Sequence, residues 1–240
     1  MLKIIFTPTR ENTPIWLTTI FLCIMVGFQL VSPLSVVFGY FLETIVIGIF
    51  HLVKLRLTQK YGIPVKNDGK TPPGIGLPIF FAFHYGFFVA IQSIFAFSFF
   101  EGEIPEIKSA FNLIANYEYV LSRPNMLFVL VPIILTNLSY FISNFLVPKQ
   151  YKNYSADQLL FKPYVRIFIQ QFAVILGGFF FVMGAHIAAA LLILLLRFLV
   201  DSLMMNIKRD SNFLDRVAQK VSKTPEQYEE AKQKLQEFSE

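Results

Sequence analysis

The chain has 240 residues, 55% of them hydrophobic and only 15% charged, against roughly 25% charged residues in ordinary soluble domains. Its mean hydropathy is +0.55, and the apolar residues fall in blocks near the 20 or so that a helix needs to cross the hydrocarbon core, which excludes a water-soluble enzyme. The net charge of +5 resides in loops beside those blocks, so it reads as membrane topology and not as nucleic-acid binding. The single cysteine, Cys23, excludes an intrachain disulfide and a cysteine metal cluster.

The N-terminal segment has charges out to Arg10 and Glu11, and no small-x-small cleavage pattern follows its apolar run, so the run reads as a retained first span and not a signal peptide. That span is expected from Pro14 to Val31, and a second from Pro33 to about Val53, joined by a tight turn at Ser32-Pro33. A third covers Gly76 to Phe100, and a fourth Asn125 to Val147 with Pro132 inside it. The block from Ile167 to Val200 holds 34 residues, about 51 Å as one helix at 1.5 Å per residue, too long for a single crossing. A turn at Gly184-Ala185-His186 divides it into a hairpin. The expected fold class is all-α: a polytopic membrane helical bundle of about six transmembrane helices over residues 1–207. A cytosolic polar tail over 208–240 carries a short helix that starts at Thr224-Pro225-Glu226-Gln227 and is supported by a Glu230–Lys234 pair.

Loop charges orient the bundle. The segments on one side carry Lys3, Arg10, Lys54, Arg56, Lys60, Lys66, Lys70, Lys149, Lys152, Lys162 and Arg166, and the tail adds seven more Lys or Arg. The opposite loop, 101–124, carries Glu101, Glu103, Glu106 and Glu118 against Lys108 and Arg123. The positive-inside rule then places both termini in the cytosol of a bacterial-type inner membrane. Five spans would strand Lys208, Arg209 and Arg216 on the wrong side.

Ionisable residues within spans are expensive and mark functional positions by default. Glu43 is the deepest acid, ten residues from either end of the second span. The candidate ligand or proton site is Glu43, His84, Gln171, Arg197 and Asp201, with His51, Asn137 and Arg166 as secondary polar positions. Glu43 and His84 stand at matching depths and are expected to face each other. Arg197 and Asp201, four apart, are expected to be structural, pairing near the inner face with each other or with neighbouring spans. Gln92, Asn144 and Gln170 are further polar residues in the spans, and His186 falls in the outer turn. The same residues could equally glue helices together by hydrogen bonds. No P-loop, GxGxxG, HExxH or GxSxG is present. Three scattered histidines make a poor metal constellation, and haem ligation by His51 and His84 is the weaker alternative.

Four stretches carry a resemblance: GYFLETIVIGIFHLVKL (39–55), FFAFHYGFF (80–88), PYVRIFIQQFAVILGG (163–178) and LLRFLVDSLMM (195–205). In order and spacing they resemble an uncharacterised family of polytopic membrane proteins from bacteria and archaea, a domain of unknown function with HYG and PYxRI motifs. The resemblance covers about residues 33–209. It retains Glu43, His84, Arg166 and Asp201. The family pattern implies histidines at the positions of Gln171, Met205 and Leu138; if those bind metal, this chain has lost the site. The resemblance implies a fold and a set of polar positions, and no activity.

The reading is therefore an integral membrane protein with a transport or proton- or ligand-linked role at an intramembrane Glu/His cluster. A membrane enzyme or cofactor binder at the same cluster, and a structural subunit of a membrane complex, are the alternatives. Its partners are the lipid bilayer, with a second copy of the chain or other membrane subunits left open and nucleic acid excluded. The sequence names no cofactor.

Overall fold

The computed structural model describes residues 6–9, 12–64, 75–209, 211–222, 224, 227–232 and 235. Among these the chain is helical and has no strand; Ile63 and Ser155 form an isolated bridge. Helix α1 (Thr13–Gly27) is followed by α2 (Pro33–Tyr61), α3 (Gly76–Ser98), the short α4 (Leu113–Ser122) and α5 (Met126–Phe141), which runs on as a π-helical turn to Leu146. A one-turn helix α6 (Ala156–Leu159) leads into α7 (Lys162–Val182), α8 (His186–Arg209) and α9 (Ser211–Val221). Five helical stretches are long and apolar enough to cross a membrane: α2, α3, Met126–Leu146, Ala156–Val182 and His186–Ile207.

The first expected span is shorter than predicted. At 15 residues, α1 reaches only about 22 Å, less than a hydrocarbon core of about 30 Å. Its end is set by a turn: Gln29 takes φ 57°, and the amides of Leu30 and Val31 fold back onto the Met25 carbonyl at 2.9 and 3.1 Å. The chain re-enters helix at once, because Ser32 caps α2 through the Ser35 amide at 3.1 Å and Pro33 takes the first helical position.

Helix α2 is the axis of the bundle, packing against α3, α5, α7 and α8. Every residue from Leu34 to Thr44 is buried, so α2 has no lipid-facing stripe there. Lipid tails are as apolar as these side chains, so close packing and not hydrophobicity holds such helices together. Phe38 and Phe41 interlock with Phe97 and Phe100 of α3 and its end at ring separations of 5.0–6.2 Å. At Gly48 a Cβ would collide with the Tyr85 ring; its absence lets Tyr85 approach and donate to the Thr44 carbonyl at 2.6 Å.

The hairpin expected at Gly184 is present. Helix α7 ends at Val182, Gly184 takes φ 80°, and α8 starts at His186. This φ is disfavoured for any residue with a Cβ. His186 is exposed and stacks on Phe181 at 4.2 Å. The same end of the bundle holds the α1–α2 turn and the α3–α5 loop: Arg123 donates to Ser32 Oγ at 3.0 Å and to the Tyr119 hydroxyl at 2.6 Å, and Phe100 meets Phe181 at 5.4 Å. At the other end, His51 Nε2 bonds the Leu159 carbonyl at 2.8 Å, and a Ser155–Gln158 capping box starts α6.

Two helices were not anticipated. Helix α4 lies within the expected loop and buries Asn116 and Val120. Helix α9 buries Phe213, Leu214 and Ala218, with Phe213 and Leu214 clustering with Ile207 of α8. Beyond it, residues 227–232 are helical, with Gln227 N on Thr224 Oγ1 at 3.3 Å. Asp215 ties that segment to α9: Lys232 Nζ lies 2.7 Å and the Tyr228 hydroxyl 2.8 Å from its Oδ1. These hydrogen bonds, Lys232 first, hold the Asp215 carboxyl below its ordinary value. Pro225, Glu226 and Lys234, and with them the expected Glu230–Lys234 pair, lie outside the described residues, as do Lys3, Arg10, Lys66 and Lys70.

Candidate functional site

Four helices deliver ionisable or amide side chains to one point in the bundle. Glu43 stands ten residues into α2, about 15 Å along it. Helix α5 brings Asn137, α7 brings Arg166 and Gln170, and α8 brings Arg197 and Asp201. The pairs 166/170 and 197/201 are each four apart, so each shares one helix face.

The four charges alternate around a ring. Arg197 Nε is 2.8 Å from Glu43 Oε2 and its Nη2 3.0 Å from Oε1, a two-pronged guanidinium–carboxylate contact. Arg166 Nη2 lies 2.8 Å from Asp201 Oδ1 and 3.4 Å from Glu43 Oε1. Arg197 Nε closes the ring 3.9 Å from Asp201 Oδ2. Asn137 Nδ2 donates to Glu43 Oε1 at 2.7 Å, and Gln170 Nε2 reaches Oε2 at 3.4 Å. Two positive and two negative charges cancel, which makes so much ionisable surface tolerable away from water. The Glu43 side chain is 0%, Arg197 2% and Asp201 3% exposed, while Arg166 at 19% opens the ring toward the surface.

The two carboxylates differ. Glu43 accepts donors on both oxygens, whereas Asp201 Oδ2 has no hydrogen-bond partner among the described residues. Arg197 Nη1, Gln170 Oε1 and the Tyr140 hydroxyl are likewise buried without hydrogen-bond partners. Tyr40 and Tyr140 lie within electrostatic reach of all four charges. Both guanidinium groups keep their charge at any ordinary pH, so the carboxylates are the groups in the ring that can exchange protons. Asp201 Oδ2 is where a proton can be added without breaking a hydrogen bond.

Of the residues expected at the site, the structure gathers Glu43, Arg197 and Asp201, together with the secondary positions Asn137 and Arg166. It does not bring His84 to them. Phe80, His84, Phe87, Ile91 and Phe95 form one exposed stripe along α3, and His84 Nδ1 bonds the Tyr164 hydroxyl at 2.6 Å. Counting residues along two helices did not fix the direction in which the side chain points. Gln171 is also displaced: one residue is 100° of helix, and Gln170 takes the inward position, 1% exposed. Of the pairings expected for Arg197 and Asp201, the one with each other is a 3.9 Å contact, and the shorter ones are with neighbouring spans, to Glu43 and Arg166. His51 is buried against Phe81 at 4.9 Å, well apart in role from the ring. Tyr140 was not singled out from sequence; its place near the end of α5, three residues after Asn137, is the signal that could have found it.

Among the described residues no group of three His, Cys, Asp or Glu side chains is placed to hold a metal ion. No curated protein and no solved structure matches the chain. A family model matches residues 1–220, which include every membrane-crossing helical stretch and all of the ring, and the chain belongs to that family of unknown function, DUF6498.

Proposed function

We propose that this protein is a multi-pass membrane protein in which the Glu43–Arg197–Asp201–Arg166 ring is a proton-linked transport or relay centre. The observation that carries the reading is the unused hydrogen-bonding capacity of the ring: among the described residues Asp201 Oδ2, Arg197 Nη1, Gln170 Oε1 and the Tyr140 hydroxyl are buried without hydrogen-bond partners. Buried polar groups are nearly always satisfied, and an unsatisfied set calls for a guest or a role. A proton on Asp201 weakens its hold on Arg166, the partly exposed member. That guanidinium is then free to move toward Glu43, 3.4 Å away, or toward the surface. Loop charges support a cytosolic position for both termini, with Arg166 opening on the cytosolic side.

A helix lock is the competing reading, favoured by the charge balance and by the saturated Glu43. Reconstituted vesicles carrying an internal pH-sensitive dye separate the two. The relay predicts that an imposed pH gradient decays faster with wild-type protein than in empty vesicles, and that Asp201→Asn slows the decay at least tenfold. Wild-type vesicles no faster than empty ones would leave the lock.

A further inference from the structure

His84 is the one polar member of an exposed stripe otherwise made of Phe80, Phe87, Ile91 and Phe95. Its imidazole is held in place on several sides. Phe80 stacks on it at 5.4 Å and 17°, Phe161 meets it edge-on at 6.5 Å, and the Tyr164 hydroxyl engages Nδ1 at 2.6 Å. Tyr164 is itself wedged among Phe81, Tyr85 and Phe88 at 5.7–6.3 Å. The pair is therefore a fixed feature and not a loose surface histidine.

Its level in the membrane is set by α7. Tyr164 is the third residue of that helix, which begins at Lys162, and the Lys162 ammonium stands over the Tyr154 ring at 4.2 Å. Lysine and tyrosine side by side at a helix start mark the boundary between hydrocarbon and headgroups. The His84–Tyr164 pair thus sits near that boundary, with Phe83 exposed beside it and Phe87 exposed about a turn further along α3.

We infer that His84 and Tyr164 form a headgroup site for an anionic phospholipid of the leaflet at which α7 begins. Tyr164 donates its hydroxyl proton to Nδ1, which places the ring proton on Nε2. Nε2–H then donates to a phosphodiester oxygen. Lys162, next to Phe161 in the chain, supplies the matching positive charge, and the exposed face of Phe83 and Phe87 lies alongside the acyl chains. The inference is independent of the proton relay, because His84 makes no contact with the ring.

The test uses the full chain in detergent, titrated with dioleoyl phosphatidylglycerol and read by native mass spectrometry. Wild type should retain one lipid more tightly than His84→Phe by about tenfold. That variant keeps a ring to stack on Phe80, and its melting temperature reports whether it folds. Histidine 15N NMR of the wild type provides the second readout, with one imidazole Nε2 shifting on lipid addition. Equal retention by a folded His84→Phe, the absence of any shift, or full competition by inorganic phosphate at equal concentration would each overturn the lipid site.

Discussion

At the scale of single residues, the ring turns on who pairs with whom. Arg197 gives its two short bonds to Glu43 and not to Asp201. Glu43→Gln therefore leaves a buried guanidinium under-compensated, and removing one partner of a buried pair costs about 3–5 kcal/mol. The double variant Glu43→Gln/Arg197→Gln removes both charges and should recover more than half of that loss. Thermal unfolding in detergent measures it, and a double variant no more stable than Glu43→Gln alone would contradict the assigned pairing. The polar positions themselves were legible in the sequence, because charge within an apolar span stands out against its surroundings. Their directions were not. In a membrane the lipid face and the packed face are both apolar, so Phe80 and Phe81 look alike in sequence although one is exposed and the other fully buried. Hence His84 could be assigned to the interior and Gln171 preferred to Gln170.

At the scale of elements, the helix boundaries were readable wherever they have a local chemical cause. Ser32-Pro33 starts α2, and Gly184 turns the chain between α7 and α8 with φ 80°. Gly184→Ala forces a Cβ into that conformation and should destabilise the protein by about 1–2 kcal/mol. Gly86 is a control: it is helical and exposed, with no atom within 4 Å of an added Cβ, so Gly86→Ala should cost nothing measurable. Chemical unfolding of both variants compares them, and equal stability of the two would remove the turn's constraint. The short helices were harder to see. Helix α4 has 10 residues and α9 has 11, lengths that are marginal alone and become helical through packing on a neighbour. Their apolar spacings, such as Phe213, Leu214, Val217 and Ala218, were present in a stretch whose overall polarity argued for a solvated tail.

At the scale of the whole molecule, the bundle has a basic end and an acidic end. Arg123–Ser32 contacts gather the α1–α2 turn and the loop with Glu101, Glu103 and Glu106 at one end, and α6 with the start of α7 lies at the other. With Cys23, the single native cysteine, replaced by Ala, cysteines placed at Glu103 and at Thr224 should react with impermeant maleimide from opposite sides of the membrane; labelling from one side would refute the topology. Between the two ends sits the charge ring, and the proposed relay requires Asp201 to be the group that takes the proton. Infrared difference spectroscopy of the reconstituted protein across a pH step observes this most directly, through the carbonyl stretch of a protonated carboxylic acid. A relay through Asp201 gives a band that appears on acidification in the wild type, shifts in heavy water and is missing in Asp201→Asn. A wild type without the band, or a band that persists unchanged in Asp201→Asn, would contradict it.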